Sequence, residues 1–372
     1  MSSEQHDTLP PSAGAVIIGA GIAGLSAALH LAEEGVEDVL VLEAEPLVAS
    51  QASATNAAIF QPLEESHSHV WLGARSRALL DARLGTSWLD AQGVALVSAT
   101  SDALEELRYN ARRFGVFHER WNAMAVHSRL PAVQGGEAHH AIFLPLAGII
   151  DVHAVMGHLL RSAQRAGARV LTGRRVSGIE AAHGKVTGVV LEDGSQIRTA
   201  RAIIAAGAWA SVVGNTVEAA LAFTPMRRHL VHLGGDAGLP WKHPVVWRMD
   251  APAYFRPESG GVLASPCDET PWQPGSPEQD PAALELLNER LTKLAPTLAQ
   301  GHVIRSWACL RTMSEDRELV VGPDPRVEGL AWIAGLGGRG MTCGVAAGEL
   351  LARTVLGLPH AMARVLAPAR FL

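Results

Sequence analysis

Val16, Ile17 and Ile18 form a short β-branched run, after which Leu25, Ala28, Leu29 and Ala32 recur at helical spacing as far as Gly35. This pattern predicts a strand, a glycine turn and a helix. A second apolar run, Val39 to Leu42, shows no polar alternation and reads as a parallel strand covered on both faces, ending at Glu43. Farther on, the spacing predicts helices within residues 70–92, 101–114 and 152–166, and a strand over 169–171. A hairpin follows over 185–197, where β-branched residues alternate around Asp193-Gly194, and then a buried strand over 202–207. Strand-like runs such as "HLVHL" and "GGVLAS" occupy 221–265, an irregular Pro/Gly-rich loop fills 265–281, and a helix follows over 282–295. Near the C-terminus, "LAWIAGLGGRGMTCGVAAGELLA" repeats the order of strand, glycine turn and helix. A dinucleotide-type pattern thus opens and closes the chain, and the fold class is α/β with a Rossmann-like core.

A length of 372 residues, 48% of them hydrophobic and 18% charged, suits a globular enzyme of two domains. The formal net charge of −6, without a basic stripe, gives no electrostatic reason to expect nucleic acid, and it disfavours a modified tRNA base as substrate. Cys267, Cys309 and Cys343 are widely spaced and form no CxxC pair, which fits a reducing cytoplasm. The first fourteen residues lack the features of a signal peptide, and residues 1–12 read as a mobile tail. The apolar stretch Ala15 to Ala32 is interrupted by Gly19, Gly21, Gly24 and His30, so it reads as buried core rather than a membrane span. Peripheral membrane association stays open. His67 with His69, and His139 with His140, lack metal-ligand spacing and read as loop histidines, so no metal is expected. A GxSxG elbow is also absent.

Gly19, Gly21 and Gly24 form GxGxxG between a strand and a helix. In that setting the first glycine makes the tight turn, the second lets a pyrophosphate approach the backbone, and the third lets helix and strand pack closely. Ile22 and Ala23 begin the helix, whose free N–H groups and dipole favour an anion. Glu43, nineteen residues beyond Gly24 and followed by Ala44, places a carboxylate where a ribose can donate hydrogen bonds. The motif alone leaves FAD and NAD both open.

The segments "VIIGAGIAGLSAALHLAEEG", "VLVLEAE", "ASQASATNAAIF", "ARAIIAAGAWA", "FTPMRRHLVHL", "AYFRPESGGVLAS", "RSWACLRTMSEDRELVVGPDP" and "GLGGRGMTCGVAAGELLA", in this order over nearly the whole chain, resemble the D-amino acid oxidase-like flavoenzymes. This family includes glycine oxidase, sarcosine oxidase and D-arginine dehydrogenase. The resemblance implies FAD bound in extended form by a GR2-type Rossmann-like domain assembled from residues 13–90, 150–215 and 310–372. A discontinuous mixed-sheet substrate domain would comprise 91–149 and 216–309. By position, Ser53, Ala54, Thr55, Asn56 and Ala57 would line the flavin and pyrophosphate, and Val176 would face the adenine. Ala206 and Gly207 would sit beside the adenosine half, and Gly337, Gly338, Arg339, Gly340, Met341 and Thr342 would meet the flavin ring.

The resemblance further implies that Arg311 holds a substrate carboxylate with its planar fork, that Arg228 supplies a second clamp, and that Tyr254 closes over the substrate. On a strand, Arg227 and Arg228 would point to opposite faces, so only one could enter the site. Ile59 and Glu64 depart from the histidine and tyrosine that D-arginine dehydrogenase carries, which argues against arginine as substrate. Cys309 falls at a position resembling the flavin-linking cysteine of monomeric sarcosine oxidase. Two readings stand: a covalent flavin link there, or a small buried residue packed against the ring edge. The activity implied is oxidation of an amino or imino acid, such as a D-amino acid or an N-alkyl amino acid, by hydride transfer. Oxygen or another acceptor would reoxidise the cofactor. The rivals are a 2-hydroxy acid dehydrogenase of the same fold and a flavin- or NAD-binding module without turnover.

Overall fold

The computed structural model describes residues 8–235 and 239–372. Ala15–Ile18 lies at the centre of a six-stranded sheet, parallel to Val39–Leu42 on one side and to Ala202–Ile204 on the other. Arg169–Leu171 extends the first side, Leu330–Ala334 the second, and Val320–Pro323 adds an antiparallel edge. All five parallel strands are short runs with little or no polar interruption, because both faces are covered. Ile17, Val41, Ile203 and Ile333 pack against the helices Ile22–Glu33, Val152–Arg165 and Gly340–Val355. Their alternating neighbours Val16, Ile18, Leu40, Leu42 and Ile204 pack against the three-stranded antiparallel sheet of Val176–Ala182, Lys185–Leu191 and Gln196–Arg198. Each fully buried leucine or isoleucine in these layers contributes about 1.5–3 kcal/mol.

A nine-stranded mixed sheet forms the second layer system. Its longest pairing joins Phe223–Gly234 to His302–Ser314 antiparallel, with Met226 opposite Arg311 and Arg228 opposite Cys309. One side of this sheet buries Val231, Val246 and Phe255 beneath the helix Pro281–Leu294. His302–Ser314 crosses residue 310, so residues 310–314 belong to this sheet rather than to the six-stranded one.

Local chemistry sets the helix limits. The helix expected within 70–92 runs over His67–Leu84: the Ser66 hydroxyl accepts a hydrogen bond from the His69 N–H, and Gly85 at φ 64° ends it. Leu89–Asp90, at the end of the same window, is instead a short strand paired with Ile149 and Ile150. The strand expected over 202–207 stops at Ile204, where the chain turns through Ala205 to Gly207. Of the expected mobile tail, residues 1–7 lie outside the described residues. The remainder is docked, for the Arg198 N–H donates to the Pro11 carbonyl and Ser12 bridges Arg198. Among the described residues, no helix is long and apolar enough to cross a membrane.

Candidate active site

A cavity of about 600 Å³ opens where the parallel strands end. Each strand leads into its wall: Ile18 into Gly19 and Gly21, Leu42 into Glu43 and Ala44, Ile204 into Ala206 and Gly207, and Ala334 into Gly337 and Gly338. This is the crevice outside the carboxyl ends of an α/β sheet, where such folds bind ligands. Val176 completes the wall beside Glu43 and Ala44.

The glycine turn is tight because the backbone is close. A Cβ on Gly24 would lie 1.9 Å from the Gly19 carbonyl oxygen, so only glycine lets the helix start so near the strand. Gly24 therefore packs behind the wall, whereas Gly19, Gly21, Ile22 and Ala23 form it. A Cβ on Gly21 would stand 3.2 Å from the Ser53 hydroxyl, which accepts from the Ile22 N–H at 3.0 Å. Gly21 has no side chain to cap the helix, and because Gly19, Gly21, Ile22 and Ala23 line the wall, the positive end of the helix meets the cavity beside Ser53. Glu43 accepts the Ala20 N–H on Oε2 at 2.7 Å and the Glu45 N–H on Oε1 at 2.9 Å. Those bonds fix the carboxylate and leave acceptor capacity toward the cavity.

The loop over residues 51–57 crosses the cavity wall with Ser53, Thr55, Asn56 and Ala57, while Ala54 turns off it. Asn56 holds the loop internally, donating from Nδ2 to the Ser53 carbonyl at 2.8 Å and accepting the Ala58 N–H at 2.7 Å. Two residues of the large sheet clamp it: Trp307 Nε1 donates to the Thr55 carbonyl at 3.1 Å and Arg256 Nε to the Ala57 carbonyl at 2.7 Å. At the C-terminal turn, Gly337, Gly338, Gly340 and Met341 line the cavity. Gly338 has φ 94°, and a Cβ there would come within 3.1 Å of the Arg311 Cδ. Arg339 and Thr342 leave the wall: Arg339 pairs with Glu64 at 3.0 Å, and the Thr342 methyl packs toward Gly73 of the helix His67–Leu84.

On the sheet side, Arg228, Tyr254, Cys309 and Arg311 all line the cavity. Strand alternation separates Arg227, which turns to Asp280 at 2.5 Å, from Arg228. Five arginines are buried in the described residues: Arg108, Arg227, Arg248, Arg256 and Arg311. The first four each pair with a carboxylate. Arg311, only 6% exposed, has none; its one hydrogen bond runs from Nη1 to its own neighbour's carbonyl, Leu310, at 3.2 Å. Its Nε and Nη2 edge is left for a ligand. Arg228 is more committed, with Nε on the Asp268 carbonyl at 3.3 Å and Nη2 on Glu269 at 2.5 Å. The Cys309 thiol is buried and donates to the Arg228 carbonyl at 3.4 Å. Burial pushes the Tyr254 phenol up to about 12, so it stands as a neutral phenol at physiological pH. Trp247, which the sequence reading passed over, packs on Tyr254 at 4.9 Å between ring centroids and also lines the wall. The short strand Val245–Arg248 gave no signal to single it out. Among the described residues no histidine lines the cavity, and no group of acids, histidines and cysteines could hold a metal.

Fold and site together define a dinucleotide-binding α/β architecture, with a phosphate-type glycine cradle on one sheet and a cationic pocket on the other. Residues 15–354 match the model of the family described as DAO, FAD dependent oxidoreductase, and the chain belongs to that family. Its cofactor is accordingly FAD. The chain is 24% identical over 94% of its length to the mitochondrial sarcosine dehydrogenase of Homo sapiens, covering 40% of that protein. It is likewise 24% identical over 96% of its length to the mitochondrial pyruvate dehydrogenase phosphatase regulatory subunit of Mus musculus, covering 43% of it. The chain thus spans only about two fifths of the length of these two relatives. Its fold matches the crystal structure of L-proline dehydrogenase from P. horikoshii with a TM-score of 0.87 at 20% identity, covering 98% of each chain.

Proposed function

We propose that this chain oxidises an amino or imino acid at the carbon bearing nitrogen. The observation that carries the reading is Arg311, the one buried arginine without a carboxylate partner among the described residues, placed on the cavity wall beside Gly338. An unpaired buried guanidinium is costly unless a ligand supplies the anion. An amino-acid carboxylate does so in the geometry the free edge accepts.

The cradle fits FAD. Glu43 would hold the adenosine ribose, the N-terminus of Ile22–Glu33 with Ser53 would hold the pyrophosphate, and Gly337, Gly338, Gly340 and Met341 would hold the flavin ring. FAD, when bound, supplies the hydride acceptor. The protein supplies placement: Arg311 anchors the carboxylate, Tyr254 and Trp247 close an apolar wall, and the buried floor excludes water. Tyr254, held as a neutral phenol, serves as a hydrogen-bond donor and not as a base. A 2-hydroxy acid would need a base for its hydroxyl proton, and the described wall offers no histidine for it. Names among the relatives, sarcosine dehydrogenase and L-proline dehydrogenase, support a secondary amine or amino acid as substrate. We assign the flavin domain to residues 13–90, 150–215 and 310–372, and the substrate domain to 91–149 and 216–309, with residues 310–314 at that boundary pairing into the nine-stranded sheet of the substrate side. With three free cysteines, we place the protein in the cytoplasm. Product analysis tests the function: a keto acid or an aldehyde should accumulate with wild type and fall sharply with Arg311→Met. Equal product from both enzymes would remove Arg311 from the reaction.

A further inference from the structure

Arg228 and Arg311 stand on the same face of the paired strands, so the site could carry two positive charges. It does not, because the segment over 265–281, expected as irregular loop but pairing through Thr270–Pro271 with Met226 and Arg227, brings Glu269 against one of them. The Glu269 Oε1 lies 2.5 Å from Arg228 Nη2, and its Oε2 lies 2.5 Å from Nη2 of Arg317, which is half exposed and screened by solvent. The same loop is fixed on the neighbouring residue. His229 binds Asp268 through its N–H at 2.8 Å and its Nδ1 at 2.7 Å, and its Nε2 accepts the Asp280 N–H at 2.9 Å. Glu269 is therefore held in place by the strand that carries Arg228. With its Nε on Asp268 and its Nη2 on Glu269, Arg228 has its Nε and Nη2 edge occupied, whereas the same two-donor edge of Arg311 is open. The acids on the cavity wall, Glu43 and Glu45, lie at the other sheet's strand end, so a cationic side chain near Arg311 finds no partner.

We propose that Glu269 is a specificity-determining residue: by neutralising Arg228 it leaves one uncompensated positive charge, on Arg311, and so selects amino or imino acids with a single carboxylate and an uncharged remainder. The inference rests on the amine-oxidising reading above. Arg174 and Arg175 line the cavity at the Glu43 and Glu45 end, so a second carboxylate held near Arg311 would meet, among the described residues of this sheet's face, only the already paired Arg228, and it would be desolvated there without compensation.

Matched probes test this: N-methylglycine against iminodiacetate for turnover, and benzoate against phthalate for binding, followed by the change in flavin absorbance of the holoenzyme. Wild type should favour each monocarboxylate by about tenfold or more, a modest effect for a partly screened charge. In Glu269→Gln the ratio should move toward the dicarboxylate by about tenfold, and Arg228→Met combined with Glu269→Gln should bring it back. The return in the double variant separates charge from a loosened loop, which would shift both variants alike. A wild-type preference for dicarboxylates, an unchanged ratio in Glu269→Gln, or the same shift in both variants would overturn the proposal. If no amine reduces the flavin while the binding ratios shift as expected, the proposed reaction fails and the role of Glu269 stands.

Discussion

Replacing Arg311 separates a ligand-binding arginine from a structural one, because the two roles move stability in opposite directions. The free Nε and Nη2 edge can give a carboxylate two parallel charge-assisted hydrogen bonds. Each is worth about 1.5–3 kcal/mol, so Arg311→Met should remove about 3–6 kcal/mol of transition-state binding. That corresponds to about 10²- to 10⁴-fold in kcat/KM. Arg311→Lys keeps the charge and loses the planar fork, and should cost about 2 kcal/mol, or about 30-fold. In the absence of substrate the side chain is buried with no carboxylate beside it. An apolar residue of similar volume should therefore leave the melting temperature unchanged or raise it. Steady-state kinetics on a substrate and on its decarboxylated amine, with thermal unfolding of each variant, make the measurement. A carboxylate-dependent loss of activity at preserved stability is expected. Unchanged kinetics, or a methionine variant destabilised by several kcal/mol, would refute the reasoning.

Gly24→Ala should destabilise the fold by about 1–3 kcal/mol, because its methyl meets the Gly19 carbonyl backbone; Gly21→Ala meets only the Ser53 hydroxyl and should fold normally yet retain less flavin. The ratio of flavin to protein absorbance, read beside melting curves, separates the two. Burial alone would raise the Asp324 carboxyl, but Arg326 and the Trp332 Nε1–H outweigh it and hold the group below its ordinary 3.8. Its stabilisation is thus present above that value and lost as pH falls through the lower folded one. Asp324→Asn should accordingly cost about 2 kcal/mol at neutral pH and flatten the acid limb of a stability profile. For Cys309, whose thiol already donates to the Arg228 carbonyl, acid precipitation should release all flavin to the supernatant; a yellow pellet that turns colourless in Cys309→Ala would establish a thioether.

The cofactor cradle was legible because its signals are local. Val16 to Ile18, the three glycines, Val39 to Leu42 and Glu43 lie within one stretch whose periodicity dictates strand, turn, helix and strand. The hairpin around Asp193-Gly194 and the helix over 152–165 were equally plain. What makes the substrate side is not local. Met226 and Arg228 meet Arg311 and Cys309 across more than eighty residues of chain, and no periodicity encodes that register. Resemblance pointed to Arg311, yet its isolation from every carboxylate is a property of the packed structure. Glu269 lies in a Pro/Gly-rich stretch that reads only as loop, and its position depends on the His229–Asp268 pair. Arg339 and Thr342 sit in the glycine-rich block and were expected at the ring. The helix start turns both side chains away, one toward Glu64 and the other toward Gly73.

Anaerobic titration of the purified, flavin-loaded protein tests the central claim most directly. A panel should pair each amino or imino acid with the same amine lacking its carboxylate, with flavin absorbance as the readout. The expected result is bleaching by at least one carboxylate-bearing amine, no bleaching by its decarboxylated partner, and loss of the response in Arg311→Met. A protein that retains flavin but is reduced by no amine, or is reduced equally well without the carboxylate, would contradict the account.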